Sequence, residues 1–93
     1  MKIYRSDRFK KSYGKLPDRV RNRFHKQILL FIENQKHRSL RTRRIVNTPY
    51  REFRVDLRYR VIFRPYEDGF MLLDIGPHDI VDAWGRRGRS VPD

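Results

Sequence analysis

The sequence predicts an α+β domain, with two N-terminal helices packed on a small, mostly antiparallel sheet. Two observations predict it. Between residues 6 and 35 the apolar residues recur at helical spacing. From residue 50 to 75 they alternate with charged residues, and that is the period of a strand with one buried face. The chain has 93 residues, so it forms a single domain close to the lower size for one core. Six Phe, five Tyr and one Trp supply the bulk of that core and argue against a disordered basic chain.

The elements follow in order. Met1 to Arg5 reads as a short first strand. Ser6 suits a helix N-cap, with Phe9, Tyr13 and Leu16 on the buried side. Gly14 and Leu16-Pro17-Asp18 end that helix and start a second. From Pro17 to Gln35, Val20, Phe24, Ile28, Phe31 and Ile32 form an apolar stripe, while Arg19, Arg23 and Lys26 lie opposite. His37 to Ser39 is a polar connection. Leu40 to Val46 is a candidate strand, and Asn47-Thr48-Pro49 a turn. Strands at 50–56, 59–65 and 70–75 complete the sheet. Gly76-Pro77 ends the last one. A domain of residues 1–84 is expected, followed by a basic, flexible tail at 85–93.

Register decides where the arginines of the segment REFRVDLRYRVIFR point. Residues paired across an antiparallel ladder face the same way. A three-residue loop Asp56-Leu57-Arg58 aligns Phe53 with Val61 and Arg54 with Arg60. A loop of even length would bring arginines into the core, at a prohibitive desolvation cost. The second hairpin is expected to turn through Glu67-Asp68-Gly69, with Gly69 left-handed. That register pairs Phe63 with Leu73 and Val61 with Ile75, and sets Asp74 beside Ile62. One sheet face is then apolar. The other carries Arg54, Arg60, Arg64 and Asp74, with His78 at its end. Like charges directly opposite destabilise a sheet. Arg54 facing Arg60 therefore calls for an anion, which Glu52, Asp74 or a nucleic-acid phosphate would provide.

The charge points the same way. Lys plus Arg number 23 against 11 acidic residues, a net +12, which favours a polyanionic partner. From Lys36 to Arg60 cations outnumber acids nine to two. The absence of cysteine excludes disulfides and cysteine-based metal sites. No apolar run approaches the ~18 residues of a membrane span, and no signal peptide is visible, so a cytoplasmic protein that meets no membrane is expected.

The segments IYRSDRFKKSYGKLP, FRVDLRYRVIF and LLDIGPHDIVDAW, in that order around a long helix, resemble the RelE/ParE superfamily of toxins from type II toxin–antitoxin pairs. The resemblance runs from Ile3 to Trp84. It implies that the first strand joins the sheet, and that an acidic cognate antitoxin is a partner in a toxin–antitoxin hetero-oligomer. RelE-like members of the superfamily inhibit translation. They cut messenger RNA on the ribosome, meeting ribosomal RNA there, without metal or other cofactor. ParE-like members inhibit DNA gyrase instead, and a non-catalytic RNA or ribosome binder is a third possibility.

Metal-free RNA cleavage needs a base for the 2′-hydroxyl, cations for the phosphorane charge and an acid for the leaving 5′-oxygen. The resemblance assigns Arg60 to the scissile phosphate, against a structural ion pair with Asp74 or Asp56. It assigns His78 to proton transfer, against a role in capping its loop; an ordinary histidine pKa near ~6.5 suits that work. Arg41, Arg43, Arg44, Arg54 and Arg64 are candidate phosphate contacts. Trp84 is a candidate base-stacking ring or else a packing anchor. His25 and His37 read as solvated surface. The paired lysines of RNA-cutting relatives are replaced here by Arg41, Arg43 and Arg44. Arginine holds phosphate well but is a poor general base, so the base stays unassigned.

Overall fold

The computed structural model describes residues 1–89. Strand β1 (Lys2–Arg5) leads into helices α1 (Asp7–Gly14) and α2 (Asp18–Glu33). A 3-10 turn (Arg38–Leu40) precedes strands β2 (Arg43–Arg44), β3 (Arg51–Arg54), β4 (Tyr59–Tyr66) and β5 (Gly69–Pro77). Helix α3 (Ile80–Arg89) closes the described chain. The sheet order is β1-β5-β4-β3-β2, with β1 parallel to β5 and every other pair antiparallel. This is the α+β arrangement expected from the sequence, with β1 joined to the sheet.

Local chemistry sets the helix boundaries. Ser6 caps α1 by accepting from Phe9 N at 3.1 Å, while its own hydroxyl donates to the Leu73 carbonyl. Pro17, extended at φ −60°, precedes α2, where it can lose no helical hydrogen bond. On α2 the stripe Val20, Phe24, Gln27 and Phe31 is buried at spacings of four, three and four. Phe31 stacks on Phe53 at 4.9 Å and meets Phe63 and Phe70 edge-on. These rings, with Phe9, Val61, Leu72 and Ile75, form the main core between α1, α2 and the sheet.

The first hairpin has the register that parity predicts. Phe53 pairs with Val61 and Arg54 with Arg60. Asp56 closes the loop, its Oδ1 accepting from Arg58 N and Tyr59 N at 2.8 Å. The second hairpin departs from its expected register. Val61 pairs with Ile75 and Ile62 with Asp74, but an irregularity follows and Phe63 pairs with Leu72, not Leu73. Leu73 is the extra residue of a bulge, so the turn shortens to Glu67-Asp68 with Glu67 left-handed at φ 48°. Gly69 is not left-handed. It serves a different need: a Cβ there would lie 1.8 Å from the Lys2 carbonyl oxygen of β1.

The second sheet face is also covered. Helix α3 lays Trp84 on Ile62 and Ile45, with Tyr50, Leu73, Ile80 and Val81 around them. Residues 85–89, expected to belong to a flexible tail, are helical. Two glycines lower the local helix propensity but permit the packing. At Gly88 a Cβ would stand 2.7 Å from Thr48 Cβ, too close for any side chain. The rest of the expected tail, residues 90–93, lies outside the described residues. Among the described residues no helix is long and apolar enough to cross a membrane.

Candidate nucleic-acid interface

The pleat turns Arg43, Glu52, Arg54, Arg60 and Ile62 to the face that α3 partly covers. Glu52 lies at the bottom of this group and is 3% exposed. Its Oε2 accepts from Arg43 Nε at 3.1 Å, and its Oε1 lies 3.4 Å from Arg60 Nε. The anion that Arg54 and Arg60 call for is therefore Glu52. Asp74 has other partners.

Arg60 is only 8% exposed. Its Nη1 donates to the carbonyls of Asp56, Leu57 and Tyr59 at 2.9, 3.1 and 3.2 Å. Burial pushes its pKa below the usual arginine value and the neighbouring Arg54 adds to that, while Glu52 acts in the opposite direction. The guanidinium thus fastens the β3–β4 loop to Glu52 and is not an open phosphate contact, contrary to the expectation from sequence.

Arg54 is the accessible member. It is half-buried, and its guanidinium has no hydrogen bond or ion pair among the described residues. Its backbone is held firmly from behind, since Gln27 Nε2 donates to the Arg54 carbonyl at 2.9 Å. Arg23 Nε donates to the Val55 carbonyl at 3.2 Å, so a residue read as solvent-facing braces the same segment. Arg54, Arg41, Thr42, Arg43 and Glu52 line an open cavity of about 380 Å³. Arg41 is left-handed at φ 46°.

The other candidates lie apart from this cavity. Arg44 Nε donates to the Thr48 carbonyl at 2.9 Å. Arg64 is exposed, beside the Tyr66 ring at 5.7 Å, and four residues along β4 from Arg60, roughly 13 Å at strand rise. His78 is exposed in the turn between β5 and α3. Tyr59 pairs with Pro77 and Arg60 with Gly76, so His78 emerges at the Arg60 end of the sheet. His37 caps the 3-10 turn, accepting from Ser39 N at 3.2 Å. His25 lies 2.8 Å from the Tyr13 hydroxyl.

Trp84 is a packing anchor. It is 6% exposed, so its ring is closed to a base while α3 is docked. Its Nε1 donates to Asp74 Oδ2 at 2.9 Å, and Ser12 Oγ donates to Asp74 Oδ1 at 2.6 Å. One buried carboxylate thereby joins α1, β5 and α3. Helix α3 also borders the arginine group, with Val81, Asp82, Gly85 and Arg89 lining a cavity that includes Glu52. Glu52 and Asp74 were named from the sequence as candidate anions, whereas Gln27 was missed; its signal was its place on the α2 stripe, three residues from Phe24 and four from Phe31.

Solved structures share this architecture. YafQ from E. coli aligns with a TM-score of 0.68 over 86% of this chain and 96% of its own, at 16% identity. The chain has the fold of the RelE-family toxins. HP0894 from Helicobacter pylori aligns at 0.60, with 17% identity over 85% of this chain and 96% of that one. The RelB-RelE antitoxin–toxin complex from Methanococcus jannaschii aligns at 0.62, with 17% identity over 87% and 96%. No family model matches the chain, and no curated protein matches it in sequence.

Proposed function

We propose that the protein is the toxin of a type II toxin–antitoxin pair and inhibits translation by cutting messenger RNA on the ribosome. The observation that carries this reading is the cavity of Arg41, Arg43 and Arg54 around the buried Glu52, on a fold shared with toxins. Two of those neighbours are described in complex with an antitoxin, DinJ with YafQ and RelB with RelE, which supports an acidic antitoxin as the partner of this +12 chain.

In this reading Arg54 and Arg43 bind the scissile phosphate, and Arg60 adds positive charge beneath them. Arg43 is exposed and, among the described residues, carries one ion pair, to Glu52. When it turns to a phosphate it uncovers Glu52 Oε2, the carboxylate within the cluster that can take the 2′-hydroxyl proton. The 2′-oxygen then bonds to phosphorus, the bond from phosphorus to the 5′-oxygen breaks, and His78 supplies the proton that the 5′-oxygen needs. The products are a 2′,3′-cyclic phosphate and a free 5′-hydroxyl. Arg41 and Arg44 hold flanking phosphates, and Arg64 contacts RNA further along β4. Ribosomal RNA and the messenger both suit a surface of this charge.

A second reading, a non-catalytic RNA or ribosome binder, is favoured by the burial of Arg60 and Trp84. Purified protein added to a translation extract separates the two. Messages cut within codons, with gyrase supercoiling unaffected, support the proposal. Stalled translation with intact messages supports the second reading, and gyrase inhibition overturns both.

A further inference from the structure

A second cavity, of about 400 Å³, lies across β2 from the Glu52 group, against the 3-10 turn. Lys36, Arg38, Arg41, Arg43, Arg44 and Arg51 supply its charge. Among the described residues, neither an acidic nor an apolar one lines it. Arg44 stands directly opposite Arg51 across the β2–β3 ladder, and among the described residues no carboxylate answers that pair as Glu52 answers Arg60. Arg41 and Arg43 line both this cavity and the Glu52 cavity, so the two basic surfaces are continuous over the end of the sheet. Arg41 sits on that ridge in a left-handed conformation uncommon for a non-glycine residue.

We propose that this cavity is a second phosphodiester site that holds the flanking nucleotides of the RNA strand whose cleavage is proposed above, and on that reading the inference rests. The lining chemistry selects the occupant. A peptide that folds on binding needs apolar side chains to anchor on, and the carbon surface of this cavity comes from the stems of charged and polar side chains that carry cationic ends. The exposed apolar residues of α2, Leu29 and Ile32, lie on the helix surface and do not line the cavity. A ribose–phosphate chain needs only cations at intervals, and guanidinium forks match its oxygens. Continuity with the Glu52 cavity favours the same strand over a separate RNA.

The test measures binding without cleavage, using RNA oligonucleotides of about 4 and about 12 nucleotides made uncleavable by a 2′-deoxy substitution at the central step. The wild-type chain should bind the longer RNA more tightly and with a steeper salt dependence. The double variant R38A/R51A should bind the short RNA as wild type does and lose the gain with length. Its log–log salt slope on the long RNA should be shallower by about 1.4, for two lost phosphate contacts. Arg38 is exposed and Arg51 half-buried, and neither belongs to an apolar core cluster. The single variant R38A, expected to change the slope by about 0.7, serves if the double variant melts early.

An unchanged length dependence in a folded variant overturns the proposal. So does a variant that keeps its oligonucleotide affinity but loses affinity for ribosomes or for an acidic peptide, since the cavity then serves another partner. Failure of the cleavage reading is seen separately. In that case wild-type protein leaves the unmodified RNA intact whatever the variants bind.

Discussion

The two faces of the sheet solve opposite problems. Toward α1 and α2, the buried residues Phe53, Val61 and Phe63 of β3 and β4 are apolar, Arg51 lies at the rim of this face, and Phe31, Phe53, Phe63 and Phe70 interlock. Toward α3, the same strands carry Arg54, Arg60 and Glu52 beside a smaller apolar group of Ile45, Ile62 and Trp84. The first face is stabilised by area removed from water. The second joins buried charges to one another, and burying charge contributes little net stability. A charged group kept under a helix in so small a domain is better explained by its work than by its folding energy.

The largest expected effect lies on the apolar face. Phe31→Ala should lower stability by about 4 kcal/mol, as a ring surrounded by three others leaves a cavity. Denaturant unfolding would show it, and a loss below about 1 kcal/mol would mean that α2 is not the main source of the core. On the charged face, Arg60→Ala should cost about 3 kcal/mol, the lower end for a broken buried pair because Arg43 still faces Glu52. Replacing both partners, with Arg60→Met and Glu52→Leu, should return part of that stability while abolishing RNA cleavage. A double variant that stays fully active would separate the charged group from the chemistry.

His78→Gln should leave the melting temperature unchanged, because the side chain is exposed, and should slow cleavage by roughly 10²–10⁴-fold if His78 transfers a proton. Cleavage at the original rate by the folded variant would remove His78 from the mechanism. The smallest effect belongs to the sheet edge, far from both faces. The Tyr4 hydroxyl donates to Asp68 at 2.6 Å, which pushes the tyrosine pKa up to about 12 and holds the Asp68 carboxyl below its usual value. Because the folded carboxyl is the stronger acid, its contribution is present above the unfolded pKa and is lost as pH falls through the folded one. Tyr4→Phe should raise the Asp68 pKa in an NMR titration, and an unshifted carboxyl would show that the bond is absent in solution.

The same contrast shows what was legible in the sequence. The apolar face was readable because burial forces parity, so Phe53 opposite Val61 followed from alternation alone. Arg54 opposite Arg60 came with it. The second hairpin was misread near its tip because Leu73 bulges, and because Gly69 answers the close approach of Lys2 rather than the turn. Helix α3 was missed because GRRGR has the composition of a loop. Only contact with Thr48 and Tyr50 explains a glycine at position 88. The candidate site was half legible. Its arginines stand out, but nothing local distinguishes Arg54, left open, from Arg60, bonded to three carbonyls and a buried carboxylate. That distinction depends on how the β3–β4 loop folds back over the strand.

Arg54 offers the most direct test that the charged face exists to act on RNA. Its guanidinium makes no hydrogen bond or ion pair among the described residues, so Arg54→Ala should match the wild type in melting temperature. With matched stability and ribosomes present, the rate of messenger cleavage should fall by about 10²-fold or more, the usual cost of removing one preorganised donor to a developing anion. A variant that is equally stable and equally active would contradict the account, and would leave the arginines of this face to the fold or to a partner protein.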